Sequence, residues 1–409
     1  MSVDRNITTP YVWNWTLNLQ HAFTPNLSME LAYVGNHGEN LTGIRDINQP
    51  PVGSGWPASS VALCVVSGYT DPTYCAPDST GGEEANRPFA KFGTFSNIFQ
   101  MGNVYRSNYN GLQATLNSRN FHGLNMVVGY TYSHSLDDVG ANWDFGYGAG
   151  LPQDSYNVNR EYANSDFDVR HRFTASLTYA VPGKKGYGQA LEGWEINSII
   201  SLQSSQYWGP IDLGTDAAGT GPLPVSPPAN SPIRWNFFGN PQDFKSNSTG
   251  IPFIPGNATL GNPTNNPACN AAALALDGGN PAGPASTALN LFGCYAQGNS
   301  VMIPPVLGHF GNMGRNMFPD TGFKNVDFSI AKNFHFGERM RAQFRAEFFN
   351  IFNHPNLANP YGGQNGFGIN DPSVQPFGCG CATPDVAAAN PVVGSGGPRA
   401  MQFGLKFIF

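Results

Sequence analysis

The sequence predicts an all-β fold, an antiparallel transmembrane β-barrel segment of about nine strands with short turns at one end and long loops at the other. Three observations predict it. Apolar and polar residues alternate with period two in segments of about ten residues, the length a tilted strand needs to cross a hydrocarbon layer. The connections between these segments alternate between short and long. The composition, 12% charged and 13% aromatic with 49 Gly and 33 Pro in 409 residues, leaves little room for long helices.

The segments follow in chain order. In the first, Tyr11, Trp13, Trp15, Leu17 and Leu19 alternate with Asn14, Thr16, Asn18 and Gln20. Leu27, Met29, Leu31 and Tyr33 alternate with Ser28, Glu30 and Ala32 in the second, and Leu112, Ala114 and Leu116 with Gln113, Thr115 and Asn117 in the third. The fourth sets Leu124, Met126, Val128, Tyr130 and Tyr132 against Asn125, Thr131 and Ser133. Phe173, Ala175, Leu177 and Tyr179 oppose Arg172, Thr174, Ser176 and Thr178, and Trp194, Ile196, Ile200 and Leu202 oppose Glu195, Asn197, Ser201 and Gln203. In the seventh, Val326, Phe328 and Ile330 alternate with Asn325, Asp327 and Ser329, and Lys324 and Lys332 close the apolar face where their stems can snorkel. The eighth is the sharpest. Met340, Ala342, Phe344, Ala346 and Phe348 lie opposite Arg339, Arg341, Gln343, Arg345 and Glu347, a face too charged for a dry core and therefore expected to line a lumen, as a salt-bridged wall or a surface for a plug or an anionic solute. The ninth ends the chain, with Phe403, Leu405, Phe407 and Phe409 against Gln402, Gly404, Lys406 and Ile408. The stretch from Phe92 to Tyr105 reads equally as a strand or as loop.

Short links run over 21–26, 120–123, 182–193 and 334–338, and long ones over 36–108, 134–171, 204–323 and 353–398. Outer-membrane barrels put short turns on the periplasmic side and long loops outside, and placing Phe409 at a periplasmic strand end assigns every long connection to the exterior. No run of 18 apolar residues forms a spanning helix, and the stretch from Met1 to Pro10 lacks the apolar core of a secretory signal.

Charge and motif content exclude other classes. With a net charge of -6 and scattered cations there is no basic footprint for nucleic acid. Asp166, Asp168 and His171 are near enough in sequence for acid–base chemistry. No nucleophile motif, Gly-rich phosphate loop or metal-spaced His pair accompanies them, so they read as the junction of an outer loop with the next strand, and the chain reads as not an enzyme, with no cofactor or metal. Trp56, Trp143, Tyr147, Trp208 and Trp235 fall in outer loops and are candidates for ligand contact. The other aromatics, such as Trp13, Trp15 and Trp194, suit interfacial girdles. The six cysteines suggest local pairs suited to an oxidising compartment, Cys64 with Cys75 and Cys269 with Cys294, while Cys379 with Cys381 closes a small ring. The spacings lack the paired two-residue gaps of a zinc site.

Several phrases carry a family resemblance. Asp166-Phe167-Asp168-Val169-Arg170-His171-Arg172-Phe173, Ser107-Asn108-Tyr109-Asn110-Gly111-Leu112-Gln113, and the run from Tyr130 to Asp138 resemble, in the same order, phrases of TonB-dependent receptors of the Oar-like type. So do Gly193-Trp194-Glu195-Ile196, Gly314-Arg315-Asn316, the run from Val326 to Phe334, and the run from Arg345 to Pro355. The resemblance covers nearly the whole of 1–409 and implies the C-terminal part of such a receptor's barrel, with plug domain and signal peptide absent. It implies TonB-dependent import of a bulky ligand, carbohydrate or polymer, in the cell outer membrane. The implied partners are outer-membrane lipid, the TonB complex acting through a plug domain not in this chain, and an unknown ligand. Gln402, Gly404, Phe407 and Phe409 also resemble the signal read by the barrel-assembly machinery, for which an edge strand offers pairing. The alternatives are a secreted all-β binding or adhesion protein, using the same alternation in a sandwich, and a secreted carbohydrate-active enzyme.

Overall fold

The computed structural model describes residues 2–71, 73–93, 95–139, 151–184, 186–223, 229–230, 232–256, 266–336, 340–360, 370–383 and 396–409. Nine long strands form an up-and-down antiparallel sheet in chain order: β1 (Tyr11–Thr24), β2 (Leu27–Asp46), β3 (Phe99–Phe121), β4 (Leu124–Asp137), β5 (His171–Ala180), β6 (Trp194–Gln203), β7 (Phe323–Phe336), β8 (Met340–Phe349) and β9 (Ala400–Ile408). Every neighbour in sequence is a neighbour in space, the simplest topology that short turns allow. Ser2–Val3 pairs parallel with β3, and Ala163–Asn164 extends β4 antiparallel. No helix among the described residues is long and apolar enough to cross a membrane, which says nothing of crossing by strands.

Register fixes which side chains share a face. Leu17 lies opposite Tyr33, Tyr33 opposite Leu112, and Leu112 opposite Tyr132. Tyr130 lies opposite Phe173, Phe173 opposite Leu202, and Ile330 opposite both Ile196 and Ala346. Ala346 pairs in turn with Phe403. The apolar stripes of all nine strands therefore merge into one face, and that face is uncovered: Leu17 is 64% exposed, Tyr132 49%, Phe344 42% and Leu405 62%. A sheet in water would expose nothing so continuous. No second protein layer meets the stripes among the described residues, as a sandwich would require.

Lys332 sits on this apolar face at the turn end of β7 and is nonetheless buried. Its ammonium donates to the carbonyls of Gln189 and Glu192 in the 181–193 turn and lies between the rings of Trp194 (5.1 Å) and Phe334 (4.9 Å). The stem crosses apolar surface while the charge reaches polar backbone. Gly35 shows why one position in a strand has no side chain: a Cβ there would lie 2.4 Å from the ring of Trp15, which packs flat over β2.

Two strands are longer than the alternation shows. β2 and β3, of 20 and 23 residues, far exceed the ten or so needed to span hydrocarbon, and run on together as a ribbon, with Asp46 opposite Phe99. The register shifts between Gly38 and Leu41, where Asn40 takes a left-handed backbone (φ 55°). The stretch from Phe92 to Tyr105, open on sequence, thus contributes its last seven residues to a strand.

The long connections 47–98, 138–170, 204–322 and 350–399 all lie at one end of the sheet and fold on each other. Trp208, Trp235, Phe237, Phe244, Tyr295, Phe318 and Phe377 build one core, Cys269, Ala273, Leu289, Cys294 and Ile303 a second, and Trp56, Ala217, Ala218, Ile233 and Leu307 a third. Around the second packs a four-stranded sheet of Asn236–Phe238, Ser300–Ile303, Cys294–Gln297 and Phe253–Ile254. Disulfides join Cys64 to Cys75, Cys269 to Cys294 and Cys379 to Cys381, which shortens the free length of each loop. The result is a cap with its own interior.

That interior corrects one expectation. Trp56, Trp208 and Trp235 do not present rings for ligand contact: they are 5%, 0% and 0% exposed. Their indole N–H groups are spent inside the cap, on the carbonyl of Asp216 (3.0 Å), the carbonyl of Pro319 (3.2 Å) and Oδ2 of Asp212 (2.6 Å). Long loops that must bury something bury their largest rings first. Trp143 and Tyr147 lie outside the described residues.

Candidate functional site

Two arrangements concentrate polar chemistry: the polar face of the sheet and the joint where the cap meets the strand ends. On the polar face Ser329 stands opposite Glu347, Ala331 opposite Arg345, Asn333 opposite Gln343 and His335 opposite Arg341. The next row on β9 is Gln402, Gly404, Lys406 and Ile408. Arg345 and Glu347 form an ion pair of 3.0 Å, half open to solvent, and the Gln343 amide donates to Asn333 (3.0 Å). Such an exposed pair contributes well under about 1 kcal/mol, so this wall is held by strand pairing and not by its charges. Arg339 lies outside the described residues. Glu30, Arg172 and Asp327 extend the same face, which is wet along its whole width.

At the other edge of β9 no partner strand is described, so its backbone donors and acceptors point outward, as do the apolar side chains of Phe403, Leu405 and Phe407. A Cβ at Gly404 would meet nothing within 4 Å. Packing in this structure therefore does not demand glycine there.

The joint is built from three distant stretches. Arg315, in the 204–322 connection, donates Nη2 to the carbonyl of Asp137 (2.6 Å) and to its carboxylate, Nη1 to Oδ1 of Asp166 (3.1 Å), and Nε to the carbonyl of Glu161 (3.2 Å). Asn316 beside it donates to Oδ1 of Asp166 (2.6 Å) and to the carbonyl of Asn164 (2.7 Å). Arg234 holds Glu161 with two bonds of 2.6 and 3.0 Å, the fork-to-carboxylate geometry that only Arg supplies. Asp168 accepts from the Ser135 N–H (2.7 Å) and from Arg170 (2.8 Å), whose other end reaches His134 and Asn164. Side chains of Arg315, Asp137 and Asp166 are each 8–10% exposed.

The charges of the joint act in both directions. Burial disfavours charge on Arg315, but the carboxylates of Asp137 and Asp166 outweigh it and push its pKa above the usual guanidinium range. Burial raises the Asp138 carboxyl despite its bond from the Arg106 N–H (2.7 Å). The cavity at the centre, lined by Asp138, Leu151, Glu161, Arg234 and Arg315, measures about 20 Å³. That is room for one water and too little for a substrate. A larger opening of about 190 Å³ beside Gln203, Ser204, Phe323 and Leu357 contains Asp320, whose carboxylate is already engaged by Gln206 N, Gly322 N and the Asn359 amide.

Asp166, Asp168 and His171 are not brought to one point. Asp166 serves Arg315, Asp168 serves Ser135 and Arg170, and the His171 ring turns to the apolar face, 2.8 Å from the Tyr130 hydroxyl. They sit at a loop-to-strand junction and tie it. Among the described residues no group of three or more His, Cys, Asp or Glu could hold a metal ion. Arg315 and Asp137 belong to phrases recognised in the sequence, but nothing there gave them a shared role. Glu161 and Arg234 carried no signal at all.

The comparisons with known proteins bear on the sheet. The family model described as an outer membrane beta barrel domain matches residues 1–376. No curated protein matches. Among solved structures, FpvA of Pseudomonas aeruginosa bound to heterologous pyoverdines is 10% identical over 97% of this chain and 27% of its own, with a TM-score of 0.36. The outer membrane transporter YddB of Escherichia coli is 7% identical over 87% and 30%, at 0.36, and the ferric preacinetobactin receptor BauA of Acinetobacter baumannii 9% over 97% and 29%, at 0.36. The chain thus spans less than a third of the length of each.

Proposed function

Because this chain belongs to the outer membrane beta barrel domain family, we propose that its nine strands are wall of a larger barrel in a receptor for TonB-dependent import of a bulky ligand. The observation that carries the reading is the single continuous apolar face, uncovered across all nine strands and backed by a wet one. That pairing of faces suits a wall between lipid and an aqueous lumen. Both edge strands lack an outer partner among the described residues, and an open edge is not tolerated in hydrocarbon, so further strands complete the wall.

In this reading Arg341, Gln343, Arg345 and Glu347, with Arg339, line the lumen against a plug domain, and the cap meets the ligand. The dependence on TonB rests on the resembling phrases from Asp166 to Phe173 and from Arg345 to Pro355. β9, with Gln402, Gly404, Phe407 and Phe409, offers its free edge to the assembly machinery. Gly404 has no packing reason to be glycine, which supports a role on that edge.

The test is uptake by whole cells carrying or lacking the gene, with labelled ferric chelates and labelled oligosaccharides offered in parallel. The expected result is accumulation of one of these classes that disappears on deletion and on adding a protonophore. Accumulation that survives the protonophore, or an unchanged profile on deletion, contradicts energised import.

A further inference from the structure

The cap is assembled across a seam between the 47–98 and 204–322 connections. Gly53 N–H donates to the Ala218 carbonyl (2.8 Å) and Gly55 N–H to that of Gly219 (3.2 Å), while Gly308 N–H holds the Ala217 carbonyl (2.8 Å) within the 204–322 side. The backbones approach so closely that a Cβ at Gly219 would lie 3.0 Å from the Gly55 Cα. Trp56 is locked into the same seam, in a core with Ala217, Ala218 and Ile233.

Two carboxyl groups meet inside it. Asp216, 2% exposed, accepts from Thr220 N–H at Oδ1 (2.9 Å) and from Gly221 N–H at Oδ2 (3.0 Å). Glu83, 1% exposed and on the opposite connection, brings Oε2 to 3.3 Å from where a Cβ of Gly221 would stand. Its Oε1 is buried and has no hydrogen-bond partner among the described residues. Two ionised carboxylates cannot share so dry a place, but a carboxylic acid and a carboxylate can.

We propose that the seam is a proton-operated joint: one proton held between Glu83 and Asp216 keeps the cap shut, and its loss lets the 47–98 connection swing off the 204–322 connection.

The neighbouring charges are consistent with this. Asp212 faces Asp216 from its own connection, and Asp371, from the 350–399 connection, lies against Asp212 and accepts from Leu213 N–H (3.3 Å). On the side of Glu83, Glu84 adds to the negative field and Arg87 offsets part of it. The Arg87 guanidinium donates Nε to Glu84 (2.9 Å) and Nη1 to the Asn48 carbonyl (2.9 Å), and its buried Nη2 stands 3.3 Å from the same Gly221 position as Glu83 Oε2. Burial, then the bond with Asp216 and its charge, raise the Glu83 carboxyl to about 9, so the proton stays in place at neutrality. Burial raises Asp212 and Asp216 as well, and burial with the charge of Asp212 raises Asp371 to about 6. The sign follows. A carboxyl released to solvent titrates near 4.5, so closing the joint takes up one proton between there and about 9. Over that window each unit of rising pH multiplies the opening constant by about ten, and above it the dependence flattens.

The test is hydrogen exchange of the full chain in detergent, read on peptides containing Gly53 and Gly55 from pH 6 to 9 and corrected for the intrinsic rate. Wild-type protection should fall about tenfold per pH unit. Glu83→Gln supplies a permanent donor to Asp216 and should make protection independent of pH, and Asp216→Asn, the second variant, should do the same. A flat wild-type profile, or a slope retained in either variant, overturns the proposal.

Discussion

Arg315→Ala is expected to release the cap from the strand ends. The guanidinium serves two carboxylates and two carbonyls in a place nearly closed to water, and removing it leaves Asp137 and Asp166 buried without a cation. Breaking a buried pair from one side costs about 3–5 kcal/mol, far more than the pair contributes relative to an apolar replacement. The loss falls on the joint and not on the sheet. Limited proteolysis of the variant should therefore cut the 138–170 and 204–322 connections at protease levels that leave wild type whole, while the strands stay resistant. Replacing Asp137 and Asp166 by Asn in the same chain removes the orphaned charges and should recover much of the resistance. A single variant as resistant as wild type would show that the joint is not held by this residue.

The second large effect is expected on the apolar face. Leu31 lies near the middle of the first ten or so residues of β2, the part long enough to span hydrocarbon, between Leu19 and Ala114 and with its side chain outward. Arginine there must place its charge in hydrocarbon or drag the strand toward an interface, at about 2–4 kcal/mol near the midplane. Gln113 is one pairing row away and on the opposite, wet face, beside Ala32 and Thr131. Gln113→Arg should change stability by less than about 1 kcal/mol. Urea titration in detergent, followed by the loss of the compact band in unheated gels, compares the two. Equal penalties would mean that both faces see the same surroundings.

How much of this was legible follows from where the information resides. A strand between lipid and water must alternate, so Tyr11 to Gln20 and Met340 to Phe348 announce themselves locally, and the nine long strands with their short turns are where the alternation puts them. The ribbon formed by 39–46 and 99–108 was hidden because it stands clear of hydrocarbon. Its composition is largely polar, and the left-handed Asn40 breaks the alternation. The loop tryptophans misled for a different reason: nothing local distinguishes a ring that greets a ligand from a ring that closes a core. The joint was illegible in principle, since Asp137, Asp166 and Arg315 are 149 residues and more from partner to partner. Glu161 meets Arg234 only because the cap folds. Glu83 and Asp216 belong to the same class, ordinary in sequence and unusual only once a seam buries both.

The face assignment is tested most directly by spin labels placed one at a time from 340 to 346 on β8, which needs only single added cysteines because none of the native ones is free. In lipid vesicles, collision with oxygen should dominate at positions 340, 342, 344 and 346, and collision with a water-soluble nickel chelate at 341, 343 and 345. An alternation of opposite phase, or none, would contradict the account.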